Sequence, residues 1–427
     1  MDLPTSYVIN STEEIAQAPH YGPYIRLFAL PLQAFSVSPM ATPQSDFLAY
    51  RPWAQASIES VTVFSAECWL TARNLFEGIK ANEGGVGVPV GAIMSDWPGA
   101  SITQLSSPAA LATCNASSTG VATSGVTFPG PIPGPGPLYS QWNTMAAPLT
   151  VGGGLAINNF IYHQGEADVH GWYDPGGRPT SEEVYKWYSC RLRALINDFR
   201  GTLGNLPTAW FGVSQLNPYA GDCAGLNGCS HVAALRQAQL DVAQTTPHTT
   251  ASVIPDGGDP WAPAGSVHSR RKQMVASRLV GGALAVRYGA DIPYGPKYAS
   301  FVDASSGGVL KAVVSFTPDS VQKGGLELQL GVNGTSWCPL NASATAPTLN
   351  ECGWWSVKGS SSGWVNATNA VIGSDGVSFE LSAPIPGGGS DTVVATAGLW
   401  NSYPVATLFS ARTQLPVVPW NSSFLAK

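Results

Sequence analysis

The residues best suited to chemistry lie in three short stretches: S-D-W-P-G-A at 95–100, H-Q-G-E-A-D at 163–168 and D-G-G-D-P-W-A-P-A-G-S-V-H at 256–268. Each follows an apolar run that reads as a β-strand. In an open α/β sheet, ligands and catalytic groups sit on loops beyond the carboxyl ends of the strands, so these three loops are expected to converge on one sheet edge. His268 stands at a strand–loop–helix junction, where an imidazole can be aimed into a cleft as a general base. Its plainer role is that of a capping or surface histidine. Asp256 and Asp259 precede it, and either could orient the imidazole or simply form turns beside the glycines. Gln164 could donate amide hydrogens to a developing oxyanion. Gly99 could add a backbone N–H from a turn that no side chain crowds. Taken alone, a loop glutamine or a turn glycine is ordinary surface.

His163 and His170 bracket Glu166 and Asp168, which at first suggests a metal box. The spacing is not the i, i+4 pattern of a helical zinc site, and Gly165 after a strand opposes a helix. No metal and no cofactor is expected. Ser95 and Ser214 sit near strand ends, but no G-x-S-x-G elbow marks either as an activated nucleophile. Trp69, Trp97, Trp142 and Trp187 read first as core residues, although a polar cleft rimmed by tryptophan would suit a carbohydrate.

The elements that must position these loops follow from periodicity. The stretch 60–80 ends in a helical pattern, and G-V-G-V-P-V-G-A-I-M leads into the first loop as a strand. A Ser/Pro/Gly-rich excursion fills 105–140. L-A-I-N-N-F-I-Y-H-Q-G reads as a buried strand. S-E-E-V-Y-K-W-Y-S-C-R-L-R-A-L-I-N-D-F-R is an amphipathic helix with Val184, Trp187, Leu192, Leu195, Ile196 and Phe199 on its apolar side. T-A-W-F-G-V-S-Q-L and T-A-S-V-I-P-D-G-G are further strands with a helix between them, and another helix follows His268. This alternation predicts a doubly wound, largely parallel α/β sheet. Beyond D-I-P-Y-G-P-K the texture changes to Gly/Ser turns and alternating apolar runs. The organisation expected is an α/β domain over 1–292 and an all-β, sandwich-like domain over 293–427.

Composition narrows the class. The chain has 427 residues, 44% of them hydrophobic and only 11% charged, with 47 Gly and 34 Pro. That suits a globular, loop-rich, exported protein. A net charge of −6 gives no electrostatic footprint for nucleic acid. No apolar run is long enough to span a bilayer. Six N-x-[ST] sequons stand at Asn10, Asn115, Asn333, Asn341, Asn366 and Asn421, and 7 cysteines fit an oxidising compartment. Cys223 with Cys229 and Cys338 with Cys352 are candidate pairs by proximity, and Cys68 in A-E-C-W-L is the candidate buried thiol. The first residues carry neither a basic nor an apolar leader pattern, which sits oddly with an exported composition.

Several blocks, in order along nearly the whole chain, resemble the sialate O-acetylesterases. F-S-A-E-C-W-L-T-A-R-N-L-F is similar to that family's F-S-A-x-C-W segment, and G-A-I-M-S-D-W-P-G-A-S-I to its S-x-W-G-G-T-x-I turn. Q-W-N-T-M-A-A-P-L resembles W-N-x-M-x-x-P-L, and F-I-Y-H-Q-G-E-A-D resembles W-Y-Q-G-E-x-N. G-S-V-H-S-R-R-K-Q-M-V-A-S-R-L is similar to G-S-I-H-P-x-x-K-Q-x-V-A-x-R-L. The closing stretch from V-A-T-A-G-L-W resembles the family's last strands. The resemblance implies a flavodoxin-like SGNH hydrolase sheet and removal of acetyl groups from sugar hydroxyls by a serine acyl-enzyme route. It implies His268 as base, Gln164 and Gly99 as oxyanion donors, and an acetylated carbohydrate or sialoglycan as substrate. It also implies a place in the secretory pathway, extracellular or lysosomal. H-Q-G-E then reads as an oxyanion loop and not as a metal box.

Three departures matter. The family's W-G-G-T is Trp97-Pro98-Gly99-Ala100 here, and Pro98 has no N–H to donate. The orienting acid often lies three residues before the histidine in SGNH enzymes, a position held by Gly265, which leaves Asp259 as an uncertain substitute. The family's nucleophile lies in a G-Q-S-N-M block at the end of the first strand. Met1 stands where that block's methionine would be, so the first strand and its serine are expected to be missing from residues 1–427. Two readings follow: an O-acetylesterase whose nucleophile lies outside this chain, or a non-catalytic glycan-binding or degenerate relative.

Overall fold

The computed structural model describes residues 3–30, 51–96, 99–114, 127–128, 130–131, 157–169, 180–201, 206–218, 228–321, 324–329 and 355–425. The chain divides into two compact units. The first comprises Met1–Leu216, Ala234–Ser252 and Arg270–Pro293; the second comprises Asn217–Ala233, Val253–Ser269 and Tyr294–Lys427.

The first unit is α/β. Strands β1 (Ile25–Ala29), β2 (Arg51–Gln55) and β3 (Val90–Met94) form one sheet in the order β2-β1-β3, with β1 parallel to β3 and antiparallel to β2. Strands β4 (Asn159–His163), β5 (Trp210–Ser214) and β6 (Thr249–Ser252) form a second, wholly parallel sheet in the order β4-β5-β6. Parallel strands need crossovers, and helices supply them. Helix α1 (Ala66–Asn82) precedes β3, α2 (Ser181–Phe199) lies between β4 and β5, α3 (Gly228–Thr245) between β5 and β6, and α4 (Lys272–Tyr288) follows β6. Where the sequence predicts one doubly wound sheet, the described residues form two separate three-stranded sheets, one of them mixed. Among the described residues, β3 and β4 each pair on one side only.

Local sequence explains the helices. Ser65 caps α1 by accepting from the Cys68 N–H, and Thr180 with Glu183 closes a reciprocal capping box at the start of α2. The apolar face of α2 is the one its 3.6-residue period predicts. Val184, Leu192, Leu195 and Ile196 are fully buried, and Trp187 and Phe199 nearly so. Trp69 on α1 is also fully buried, among Ile25, Leu27, Phe76, Met94 and Ala276, and is therefore a core residue. Trp97 and Trp142 lie outside the described residues.

Cys114 and Cys190 form a disulfide that ties the segment after Pro108–Ala112 to α2. Cys68 is half-buried and takes part in no disulfide. Cys223, Cys338 and Cys352, three members of the pairs suggested by proximity, lie outside the described residues. No described helix is long and apolar enough to cross a membrane.

The second unit is built on antiparallel strands. Its larger sheets are β12-β13-β8-β7 and β11-β10-β14-β16. Here β7 is Tyr298–Asp303, β8 Val309–Phe316, β9 Leu326–Leu328, β10 Trp355–Gly359, β11 Gly363–Asn366, β12 Asn369–Ile372, β13 Ser378–Pro384, β14 Val393–Gly398, β15 Leu408–Ser410 and β16 Trp420–Asn421. Strand β8 shows the cause in its alternation: Leu310, Ala312, Val314 and Phe316 are buried and their neighbours are not. Residues from both sheets share one core, in which the Trp355 ring lies 5.5 Å from Trp420 and 5.0 Å from Phe379. This is the sheet-on-sheet packing of a β-sandwich.

Candidate functional site

The candidate residues are divided between the units, Gln164 and Gly99 in the first, His268 and Asp259 in the second.

The H-Q-G-E-A-D loop opens where β4 ends. Gly165 adopts φ +145°, and a Cβ there would stand 2.7 Å from Leu235 Cδ2 and 3.1 Å from Leu216 Cδ2. Only glycine lets the chain turn this closely over the apolar layer. The turn sends Gln164 inward, where it is 6% exposed. Its Nε2 donates to Ala100 O at 2.9 Å and to Asp168 Oδ2. Its Oε1 accepts from Tyr162 Oη at 2.9 Å, and its backbone carbonyl accepts from Tyr188 Oη and Gln239 Nε2, each at 2.9 Å, with Tyr188 Oη also 3.3 Å from Oε1. Asp168 Oδ2 also accepts from the Ile102 N–H at 3.0 Å. The 99–102 turn, which follows β3, and the 163–168 loop, which follows β4, are therefore laced together. Gly99 stands exposed with φ +71°, directly before the Ala100 carbonyl that holds Gln164. Pro98 and His170 lie outside the described residues.

Burial raises the Asp168 carboxyl to about 6, against the opposing pull of the hydrogen bonds from Gln164 and Ile102 and of Arg191. Tyr162 and Tyr188, buried alongside, are pushed well above the usual phenol range, first by burial. Both phenols are neutral and able to donate.

Beneath the same strand ends lies a cluster that the sequence did not reveal. Glu67, in the first turn of α1, accepts from His163 Nδ1 at 2.6 Å, from Lys272 Nζ at 3.1 Å and from Ser214 Oγ. Glu67 and Lys272 are 5% and 1% exposed. Burial alone would raise the Glu67 carboxyl, but His163 and Lys272 outweigh it and hold it well below the usual carboxylate range. His163 is lowered by burial more than Glu67 raises it, so the imidazole is neutral and Nδ1 carries the hydrogen given to Glu67. The cluster is thus one carboxylate and one ammonium, with a neutral histidine and a serine satisfying the remaining lone pairs. Ser214, considered above as a strand-end serine, is fully buried and committed to Glu67. His163 Nε2 stands 3.7 Å from Glu166 Oε1. Among the described residues, no group of three or more His, Cys, Asp or Glu side chains is disposed to hold a metal ion.

In the second unit, three successive turns carry the chain to the histidine. Ala262 N–H donates to Asp259 O at 3.2 Å, Gly265 N–H to Ala262 O at 2.9 Å, and His268 N–H to Gly265 O at 2.9 Å. Gly265 makes this possible with φ +92°. His268 is partly exposed, and its Nδ1 lies 2.8 Å from Ala264 O. A carbonyl only accepts, so Nδ1 carries the hydrogen and Nε2 of the neutral ring keeps its lone pair. The partner of His268 Nδ1 is thus a backbone carbonyl. Asp259 is 3% exposed.

These features describe an α/β unit with polar loops at the carboxyl ends of its parallel strands, on one chain with a β-sandwich. No family model matches the chain. Sialate O-acetylesterases do. The human protein is 27% identical over 310 residues, covering 68% of this chain and 52% of its own length. The Pongo abelii protein is 27% identical over 305 residues with the same coverage, and that of Rattus norvegicus is 25% identical over 320 residues, 68% of this chain and 55% of its own. Over that span the chain is similar to the sialate O-acetylesterases. It spans about half the length of the curated relatives it matches.

Proposed function

We propose that this chain forms part of a carbohydrate O-acetylesterase of the SGNH kind, acting on O-acetylated sialic acids or related glycans through a serine acyl-enzyme. The match to sialate O-acetylesterases over 68% of the chain carries the reading, and the tautomer of His268 supports it. In this reading His268 Nε2 takes the proton from a serine Oγ as that oxygen attacks the acetyl carbonyl. The C=O pair moves onto oxygen, where the Gly99 N–H and the Gln164 amide stabilise the oxyanion. Collapse expels the sugar oxygen, which takes the proton back from His268. Water, activated by the same imidazole, then cleaves the acetyl-serine and releases acetate.

This scheme needs a serine nucleophile that the described residues do not identify; among them β3 and β4 each pair on one side only, which leaves room for a further parallel strand between them. A flavodoxin-like order has a strand at that place. The disulfide and the sequons support folding in the secretory pathway. The second reading, a non-catalytic glycan-binding relative, is favoured by one observation: both amide hydrogens of Gln164 are already engaged. Expression of the whole natural gene product separates the two. Acetate release from O-acetylated sialic acid, abolished by His268→Ala, is the result expected of the esterase. Substrate binding with no turnover at any pH would establish the second reading.

A further inference from the structure

We infer that Asp168 is a proton-operated latch on Gln164: its carboxylate holds the glutamine amide turned inward, and protonation releases that amide toward the reacting face. The inference rests on the reading of Gln164 as an oxyanion donor and deepens it.

The geometry makes the case. Gln164 has two amide hydrogens, and both are spent, one on Ala100 O at 2.9 Å and one on Asp168 Oδ2. A donor in that state has nothing to give an oxyanion. The far end of the amide is held as well, because Oε1 accepts from Tyr162 and Tyr188 Oη stands 3.3 Å from it while donating to the Gln164 backbone carbonyl. Of these four partners, only Asp168 can change its charge in the range where proteins function. The Ala100 carbonyl cannot, and the two phenols are pushed well above their usual range. A hydrogen bond to an ionised carboxylate is roughly twice as strong as one to a neutral acceptor, so protonating Asp168 weakens the hold on Gln164 selectively.

The surroundings set where this happens. Asp168 is 6% exposed, and burial raises it to about 6. The groups acting on it come from every side. Arg191 on α2 favours the carboxylate, as do the Gln164 amide and the Ile102 N–H from the 99–102 turn, while Glu166 in its own turn opposes it. The phenols of Tyr162 on β4 and Tyr188 on α2 complete the enclosure. Arg191 is itself committed to Thr103 Oγ1 at 2.8 Å and stacks 4.7 Å over the Trp187 ring, so it does not close on Asp168 as a direct ion pair. The family pattern W-Y-Q-G-E-x-N has asparagine where this chain has Asp168. A protonated aspartic acid is neutral like that residue and close to it in shape, with an acceptor oxygen beside a donor group, an O–H in place of the amide NH2. The latch therefore makes an acid-dependent version of a fixed arrangement, suited to a compartment near or below pH 6.

The test uses the full chain with glutamine labelled by nitrogen-15 and needs no turnover. The side-chain amide signals of Gln164, assigned by their loss in Gln164→Ala, are expected to move with pH about a midpoint near 6 and to be flat in Asp168→Asn. A flat wild-type signal between pH 4.5 and 8, or a transition that survives Asp168→Asn, would overturn the latch. If the variant does not fold, the wild-type titration decides alone. A second measurement compares acetate release by the whole gene product and its Asp168→Asn form. At pH 8 about 1% of a group titrating near 6 is protonated, so the variant should be faster by up to about a hundredfold, with the two converging at pH 5. Equal ratios at both pH values would overturn the latch. Absence of turnover in both forms at every pH would instead defeat the esterase reading, leaving the amide titration to judge the latch.

Discussion

Glu67 and His163 meet at 2.6 Å across 96 residues of sequence, joining the first turn of α1 to the end of β4. Lys272 supplies the countercharge from the start of α4, four residues beyond His268, and Ser214 adds a hydrogen bond from the end of β5. Four elements are thereby fixed at the edge of the sheet where the polar loops begin. Replacing Glu67 by Gln leaves the buried Lys272 ammonium without its paired carboxylate, which for such pairs costs about 3–5 kcal/mol. Urea unfolding of Glu67→Gln should show that loss, and the double variant Glu67→Gln/Lys272→Met should recover much of it.

The two buried carboxylates impose opposite pH dependences on stability. Glu67 titrates well below its ordinary 4.5, so its contribution is complete above that value and is lost as pH falls through the depressed range. His163 acts in the same direction, because it is neutral in the fold and must charge on acidification. Asp168 is raised from 3.8 to about 6, so its contribution is full below 3.8 and disappears as pH climbs to 6, a change of about 3 kcal/mol. Asp168→Asn should therefore match the wild type near pH 4 and exceed it in stability by about that amount above pH 7, read from denaturant midpoints at each pH.

Gly165 has no tolerable substitute. In Gly165→Ala the new methyl would meet Leu235 and Leu216, and a non-glycine residue would have to hold φ +145°. A loss of about 1–3 kcal/mol is expected from the backbone alone, with more from the clash. Thermal unfolding of the variant checks the stability, and near-UV circular dichroism checks the packing of Tyr162 and Tyr188 beside the loop.

The Cys114–Cys190 bridge closes a segment of 76 residues. On the chain-entropy account a loop of that length contributes about 4 kcal/mol. Unfolding of the Cys114→Ser/Cys190→Ser variant should fall short of the wild type by about that figure, and reduction of the native chain should reproduce it.

Asn366 is exposed at the end of β11, with Ser356 Oγ donating to its Oδ1 at 3.1 Å. In a secretory host it should carry a glycan. Asn333 and Asn341, also expected to be glycosylated, lie outside the described residues. Treatment with an amidase that removes N-linked glycans should lower the mass of the protein, and Asn366→Gln should remove one step of that shift.

Sequence by itself determined the elements whose cause is local. The helices α1, α2, α3 and α4 and the strands β3 to β6 were legible because an apolar stripe of period 3.6, or a short apolar run ending in a polar loop, is written in consecutive residues. The glycine-bearing loops after β3, β4 and β6 were legible for the same reason. Strands β1 and β2 were not marked, because I-R-L-F-A and R-P-W-A-Q are too short and too mixed to announce themselves. The tertiary structure alone decided what those loops hold. Gln164 reads in sequence as a donor pointing outward, and only the positive φ of Gly165 turns it onto Asp168 and Ala100. Glu67 reads as an ordinary first-turn acid of a helix, because its partners lie 96, 147 and 205 residues away. The same holds for Cys114 and Cys190, whose pairing proximity in sequence could not suggest. Local patterns record which face of an element is buried. Which charges, thiols and amides meet in that interior is fixed by how the elements cross, and burial then makes each such pair or orphan costly enough to matter.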